Sequence, residues 1–193
     1  MSDLNTLAEE TRALVQCIRK LSYREGDFVL ASGQKSKFYV DLKATTLHPE
    51  GAYLIGRLTV RKIQEAGLQI DAVGGMSIGS DPIGTAVSLA ARAEGLLWPA
   101  YIVRKDAKDH GTARYVEGTE NFRIGARLLI VEDVCTTGGS SLKAIDRLRD
   151  AGYHPVAVLT VVDRRQGAEE AFTRKGLRFL SLATIGDILK LAP

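Results

Sequence analysis

In the stretch LLIVEDVCTTGGS (128–140), an apolar run leads into two adjacent acids and then into a turn of small and hydroxyl-bearing residues. Leu128–Val131 predict a buried strand that delivers Glu132 and Asp133 to its carboxyl end, where packing ceases and a ligand can approach. Val134 and Cys135 then lead into Thr136, Thr137, Gly138, Gly139 and Ser140, which would offer backbone N–H groups and hydroxyls at a helix start, a favourable setting for phosphate. The glycines let the main chain come close to such an anion. The acid pair would repel it and needs another partner. Vicinal ribose hydroxyls suit two carboxylates, and a magnesium ion bridging those hydroxyls and a pyrophosphate would balance the charge. The pattern therefore implies a sugar phosphate. Neither GxxxxGK[ST] nor GxGxxG occurs, which counts against a nucleotide hydrolase and a dinucleotide enzyme.

Two further segments bring groups of complementary charge. RKDAKDHG (104–111) gathers Arg104, Lys105, Lys108 and His110 inside a polar, glycine-containing stretch, 104–125, that predicts a mobile loop. Closing such cations over a pyrophosphate leaving group would stabilise the charge that develops there and exclude water. Taken alone, the same residues describe a solvated charge run equally well. In TVVDRRQGAEE (160–170), Arg164 follows an apolar strand; a guanidinium there can pair with a structural carboxylate or grip the carboxylate of a ligand in bidentate fashion.

The elements that must position these groups can be read from the periodicity. Leu4, Leu7, Leu14, Val15 and Ile18 predict a helix over 4–20, and Leu54, Ile55, Leu58 and Ile63 predict a second over 49–66. Between them, FVLASGQKSKFYVDLK (28–43) predicts two short strands around a Gly-Gln-Lys turn. Apolar strand candidates at 69–75, 96–103, 126–133, 154–163 and 177–183 alternate with helical patterns, clearest at 82–93 and 140–151. That alternation predicts an α/β fold with a central parallel sheet covered by helices on both faces, its ligand beyond the carboxyl ends of the strands. At 193 residues the chain suits one domain, 1–193, with an N-terminal unit at 1–45 and a binding core at 69–165.

Composition narrows the class further. A net charge of +3 is too mild to indicate a nucleic-acid partner, and no apolar run approaches a membrane span or secretory signal, so a cytoplasmic location is expected. Cys17 and Cys135 are too few for a disulfide framework; Cys135 reads as a small buried hydrophobe within the turn.

The 128–140 segment resembles the binding signature of the type I phosphoribosyltransferases for phosphoribosyl pyrophosphate (PRPP), and RKxxKxHG is similar to the catalytic loop of their orotate-using members. Phe28, Leu30, Ser32, Gly33, Ser36 and Tyr39 fit the hood motif of the same group. The resemblance implies a type I phosphoribosyltransferase fold with a small N-terminal hood, transfer of ribose 5-phosphate from PRPP to orotate, Mg²⁺, and a homodimer whose loop 104–125 reaches the neighbouring site. It also implies residue roles. Glu132 and Asp133 would hold the ribose hydroxyls and also magnesium, and Val134–Ser140 the 5-phosphate. Arg104, Lys105, Lys108 and His110 would meet the pyrophosphate, Lys108 and Asp133 being the catalytic pair. Arg164, Thr136 and Tyr39 would bind orotate, with Lys43 a further candidate. The chain departs from the pattern at Ala31 and in 74–82, where relatives carry lysines; backbone N–H groups of Met76–Gly79 or the side chain of Lys35 are the substitutes at hand. A phosphoribosyltransferase for another nucleobase, or a PRPP-sensing regulator of the same fold, are the alternative readings.

Overall fold

The computed structural model describes residues 2–29, 35–106 and 115–191. The chain opens with α1 (Ser2–Leu21), the antiparallel hairpin β1 (Tyr23–Val29) and β2 (Lys35–Val40), the short α2 (Lys43–Thr46) and α3 (Pro49–Glu65). It continues through β3 (Ala72–Met76), α4 (Asp81–Ala93), β4 (Ala100–Val103), β5 (Val116–Glu117), β6 (Arg127–Cys135), α5 (Gly139–Asp150), β7 (His154–Asp163), α6 (Ala168–Arg174), β8 (Arg178–Thr184) and α7 (Ile185–Lys190). The six-stranded sheet has the order β5-β4-β3-β6-β7-β8, parallel except for β5, which runs antiparallel along the β4 edge.

The near-continuous apolar strands arise because both sheet faces are covered. Leu129 and Val131 of β6 pack with Leu14 and Ile18 of α1, Ile55 and Ile63 of α3, and Ile83 and Val87 of α4. Leu128 and Ile130 face the other way, against Ala144, Ile145 and Leu148 of α5 and Phe172 of α6. All of these side chains are essentially withdrawn from water, and each fully buried aliphatic or aromatic side chain contributes on the order of 2 kcal/mol. At the start of α3, His48 accepts a hydrogen bond from the Glu50 N–H and Pro49 occupies the first turn, so the sequence fixes where that helix begins. Among the described residues, no helix is long and apolar enough to cross a membrane.

Strand order places the site. After β3 the chain moves outward to β4 and β5, then returns to the opposite side of β3 for β6. The crevice between the carboxyl ends of β3 and β6 is therefore the switch point at which open α/β sheets bind ligands. At the far end of the same pair, Asp71 holds Arg127 through Nη2 at 2.8 Å and Nε at 3.1 Å and also accepts the Arg127 backbone N–H at 2.8 Å. This latch sets the register of the two strands that carry the site, Ala72 opposite Leu128 through Gly74 opposite Ile130.

The structure corrects several boundaries: the first hairpin strand begins at Tyr23, not Phe28, and the strand expected over 96–103 covers only Ala100–Val103. The strand expected to stop at Asp133 runs on to Cys135, because β7 continues to pair with it as far as Asp163. The acids are nevertheless open on one edge, since pairing with β3 ends at Ile130. The stretch 104–125, expected as one loop, contains β5 and a 3₁₀ turn at Thr119–Asn121. Val116 is buried there, and Phe122 sits between Tyr101 and Tyr153 at ring distances of 6.0 and 5.3 Å, so apolar anchors tie down its second half. The Gly-Gln part of the predicted hairpin turn lies outside the described residues.

The bonds from Arg127 hold the Asp71 carboxyl down at about 2, below its usual 3.8. A depressed carboxylate stabilises the fold above its unfolded value and loses that contribution as pH falls through the folded one. Asp71→Asn should thus lower stability by about 1 kcal/mol at neutral pH, after allowance for the partly exposed pair. In denaturant titrations the gap between parent and variant should close as pH falls from about 4 toward 2, as linkage requires; a gap that persists there would remove the latch from the account.

Candidate active site

The end of β6 is shaped by neighbours that aim its two acids differently. Glu132 turns toward α5, where the Ser141 hydroxyl donates to its carboxylate at 2.5 Å. Burial pushes the Glu132 carboxyl up, the Ser141 bond eases that shift, and the charge of Asp133 adds to it. Asp133 accepts its neighbour's Val134 N–H at 2.9 Å and lies against Gly79, where a Cβ would come within 2.8 Å of its carboxylate oxygen. A side chain at Gly79 would have to displace that carboxylate. Across from it, Lys43 is bound to Asp41 at 2.8 Å; that hydrogen bond first, and the charge of Asp133 among lesser causes, raise the Lys43 ammonium.

A cavity of about 220 Å³ lies between these groups, lined by Glu132, Asp133, the Ser77–Ser80 turn, Lys43, Lys105 and the Ser140–Ser141 start of α5. A larger cavity of about 590 Å³, walled by Tyr115, Phe122, Ile124 and Tyr153, sits elsewhere, along β5 and the far end of α5. Size does not decide between them. Glu120, Asp150 and Arg147 also line the larger one, but only the smaller adds the start of α5 and the paired acids at a strand end, the setting a charged sugar phosphate calls for.

The turn from β6 into α5 has the expected form. Gly138 adopts the left-handed conformation at φ 81° as N-cap, with no side-chain cap on the first turn of α5. A Cβ at Gly138 would also stand 2.5 Å from the Phe172 ring, so both backbone conformation and packing demand glycine. Thr137, Gly139 and Ser140 are exposed and Thr136 half-buried, whereas the Cys135 side chain is fully buried among the α5 and α6 contacts. Burial, then the nearby Glu132 charge, pushes the Cys135 thiol up. The sulfur faces the core, where Glu132 and the Gly138 backbone of the turn meet it.

Arg164 stands beside this turn, its N–H donating to the Cys135 carbonyl at 2.9 Å. Its guanidinium carbon is 5.5 Å from the Phe38 ring centroid, and its Nε is buried with no hydrogen-bond partner among the described residues. A buried guanidinium N–H without an acceptor is costly, and a ligand carboxylate would satisfy it. The hairpin thus contributes Phe38, which the hood motif had passed over in favour of Tyr39. Strand alternation is the reason: Phe38 stacks on Tyr23 on one face, and Tyr39 meets Phe28 on the other.

The basic residues divide. Lys105 lines both the cavity with the acids and the adjoining cleft beside Ile78 and Ile102, whereas Arg104, paired with Glu117 at 3.3 Å, borders the cleft alone. Lys108 and His110, like Leu30, Ala31, Ser32 and Gly33, lie outside the described residues. Lys35 is exposed at the start of β2, and Ser36 turns its hydroxyl to the Phe38 carbonyl. The Met76–Gly79 backbone does line the cavity, as its place between β3 and α4 requires. No group of three or more His, Cys, Asp or Glu among the described residues is placed to hold a metal, so any ion would depend on Glu132, Asp133 and ligand oxygens.

Residues 43–176 match the phosphoribosyl transferase domain family. Across 187 residues the chain is 46% identical to the orotate phosphoribosyltransferase of Nostoc sp., covering 97% of this chain and 87% of that one. It is similar in structure to Mycobacterium tuberculosis orotate phosphoribosyltransferase in complex with PRPP, with TM-score 0.77, 37% identity and coverage of 93% and 98%. The Aeropyrum pernix orotate phosphoribosyltransferase superposes with TM-score 0.78 at 34% identity, covering 92% of this chain and 96% of that one.

Replacing Gly138 by alanine should destabilise the fold by roughly 2–4 kcal/mol, from the left-handed backbone together with the clash on Phe172. Equilibrium denaturation checks it; a loss below about 0.5 kcal/mol, the range of indifferent surface changes, would show that the turn relaxes freely.

Proposed function

We propose, for a chain that belongs to the orotate phosphoribosyltransferases of the phosphoribosyl transferase family, the following division of the reaction among its residues. The enzyme transfers ribose 5-phosphate from PRPP to orotate, giving orotidine 5′-monophosphate and pyrophosphate, a step of pyrimidine synthesis. The other two readings, a different nucleobase and a regulator, find no support in relatives that match over nearly the whole length.

In the proposed arrangement the 5-phosphate rests on the backbone N–H groups of the Thr136–Ser140 turn, and the ribose hydroxyls hydrogen-bond to Glu132 and Asp133. The observation that carries this reading is the convergence of that acid pair and the uncapped start of α5 on one crevice, with Arg164, whose buried Nε has no partner among the described residues, beside the connecting turn. Arg164 takes the orotate carboxylate beside Thr136, and Phe38 lies against the ring. A ring nitrogen of orotate then forms the bond to the anomeric carbon as the bond from that carbon to pyrophosphate breaks. Orotate is already an anion, so positioning and charge stabilisation carry the step rather than a strong base.

Magnesium, bound through PRPP oxygens with help from Glu132 and Asp133, would neutralise charge on the pyrophosphate. The adjacent carboxylates fit it: burial and then the charge of Asp133 push the Glu132 carboxyl up, and a divalent cation would relieve that. Lys105, from the cavity wall, and Lys108, Arg104 and His110 complete the neutralisation, with Lys108 the principal residue. The assembly is a homodimer in which Lys108 and His110 of loop 104–125 serve the neighbouring site while Lys105 serves the cavity of its own chain, and the setting is the cytoplasm.

Lys108→Ala should reduce turnover about 100-fold or more while the fold stays intact, as loss of one preorganised charge does in other sites. Turnover near the parental value would remove Lys108 from its assigned role. Arg164→Ala should raise KM for orotate about tenfold or more and leave PRPP binding nearly unchanged, the signature of one lost charged contact. A mixture of Lys108→Ala and Asp133→Asn protomers should regain about a quarter of parental activity if subunits exchange and the site is shared between two copies. No recovery in demonstrated mixed dimers would place Lys108 in its own chain's site.

A further inference from the structure

Arg147, on α5, is absent from every role assigned above, yet its guanidinium meets three separate parts of the chain around the site. One Nη donates to the Arg104 carbonyl, and the other donates to the Lys105 carbonyl at 2.8 Å. The plane lies over the Tyr115 ring at 4.2 Å, and Nη1 reaches the Met76 sulfur at the end of β3 at 3.7 Å. The two strand ends it touches are joined to each other, since the Arg104 N–H donates to the Tyr115 carbonyl at 2.8 Å. Lys105, whose own carbonyl is one of the two clamped, lines the cavity together with Glu132 and Asp133.

We propose that Arg147 is a positioning residue for Lys105: it fixes the backbone of Arg104–Lys105 so that the Lys105 ammonium faces the pyrophosphate of bound PRPP. This rests on the reading that pyrophosphate occupies the cavity beside Lys105. The physical reason for arginine is its rigid planar fork, which spans two successive carbonyls and offers its face to an aromatic ring at once; lysine has neither property. A lysine side chain on an untethered backbone loses more freedom when it binds a polyanion, so the clamp strengthens PRPP binding without touching PRPP.

The test uses the whole enzyme with orotate, PRPP and magnesium, in Arg147→Ala, Arg147→Lys, Lys105→Ala and the Arg147→Ala/Lys105→Ala double variant. Arg147→Ala should raise KM for PRPP about tenfold and leave KM for orotate within about twofold, a split that general loosening of the fold would not give. Arg147→Lys should recover only part of the loss, and it carries the same test if the alanine variant does not fold. In the Lys105→Ala background, Arg147→Ala should add nothing further to KM for PRPP. Additive losses, full rescue by lysine, or equal changes for both substrates would overturn the proposal while Lys105 keeps its role. A Lys105→Ala enzyme with parental KM for PRPP would overturn the placement of pyrophosphate itself, and the proposal with it.

Discussion

Two carboxylates held side by side at the end of a buried strand are electrostatically unfavourable, and the site is organised around that fact. Glu132 is desolvated enough for its carboxyl to be pushed up, and the neighbouring Asp133 pushes it further. The fold accepts this because Ser141 bonds to one acid, the Val134 N–H bonds to the other, and Lys43 adds a positive charge across the crevice. A ligand that brings hydroxyl donors and a divalent cation relieves the strain; one that brings only phosphate does not. In the proposed arrangement, selectivity for a ribose bearing a metal-bound diphosphate would begin in the protein's own unfavourable charge.

The scaffold keeps that arrangement from relaxing. Asp71 and Arg127 lock the feet of β3 and β6, the core packs both faces of β6, and strand order opens a crevice only at the heads of the two strands. Helix α5 then acts at both of its ends. Its first turn follows the left-handed Gly138 with no side-chain cap, where the proposed arrangement seats the phosphate, and two turns later Arg147 reaches the backbone that carries Lys105. In the proposed arrangement one helix couples the position of the 5-phosphate to that of Lys105.

Much of this was legible in the residues themselves. Apolar runs ending in Glu132–Asp133 and Asp163–Arg164 located the strands and the tips that matter, because strands buried on both faces leave an unbroken hydrophobic trace. The small residues of 136–140 located the turn for a similar reason: Gly138 admits no side chain. What the sequence hid depends on long-range geometry. Val116 and Phe122 are isolated apolar residues in a polar stretch, and only the β4 edge and the Tyr101–Tyr153 slot reveal them as anchors. Phe38 and Tyr39 are adjacent aromatics that alternation sends to opposite faces, and no local pattern says which face meets Arg164. Arg147 reads as a solvated helix residue until its carbonyl partners, 43 and 42 residues away, are in place.

The central claim concerns where the sugar phosphate sits, and a crystal structure of the enzyme with PRPP and magnesium measures that directly. The account predicts the 5-phosphate within hydrogen-bonding reach of the backbone N–H groups at 137–140, the ribose hydroxyls on Glu132 and Asp133, and the pyrophosphate toward Lys105. Density for PRPP in the larger cavity walled by Tyr115, Phe122 and Tyr153, with both acids left to solvent, would contradict it.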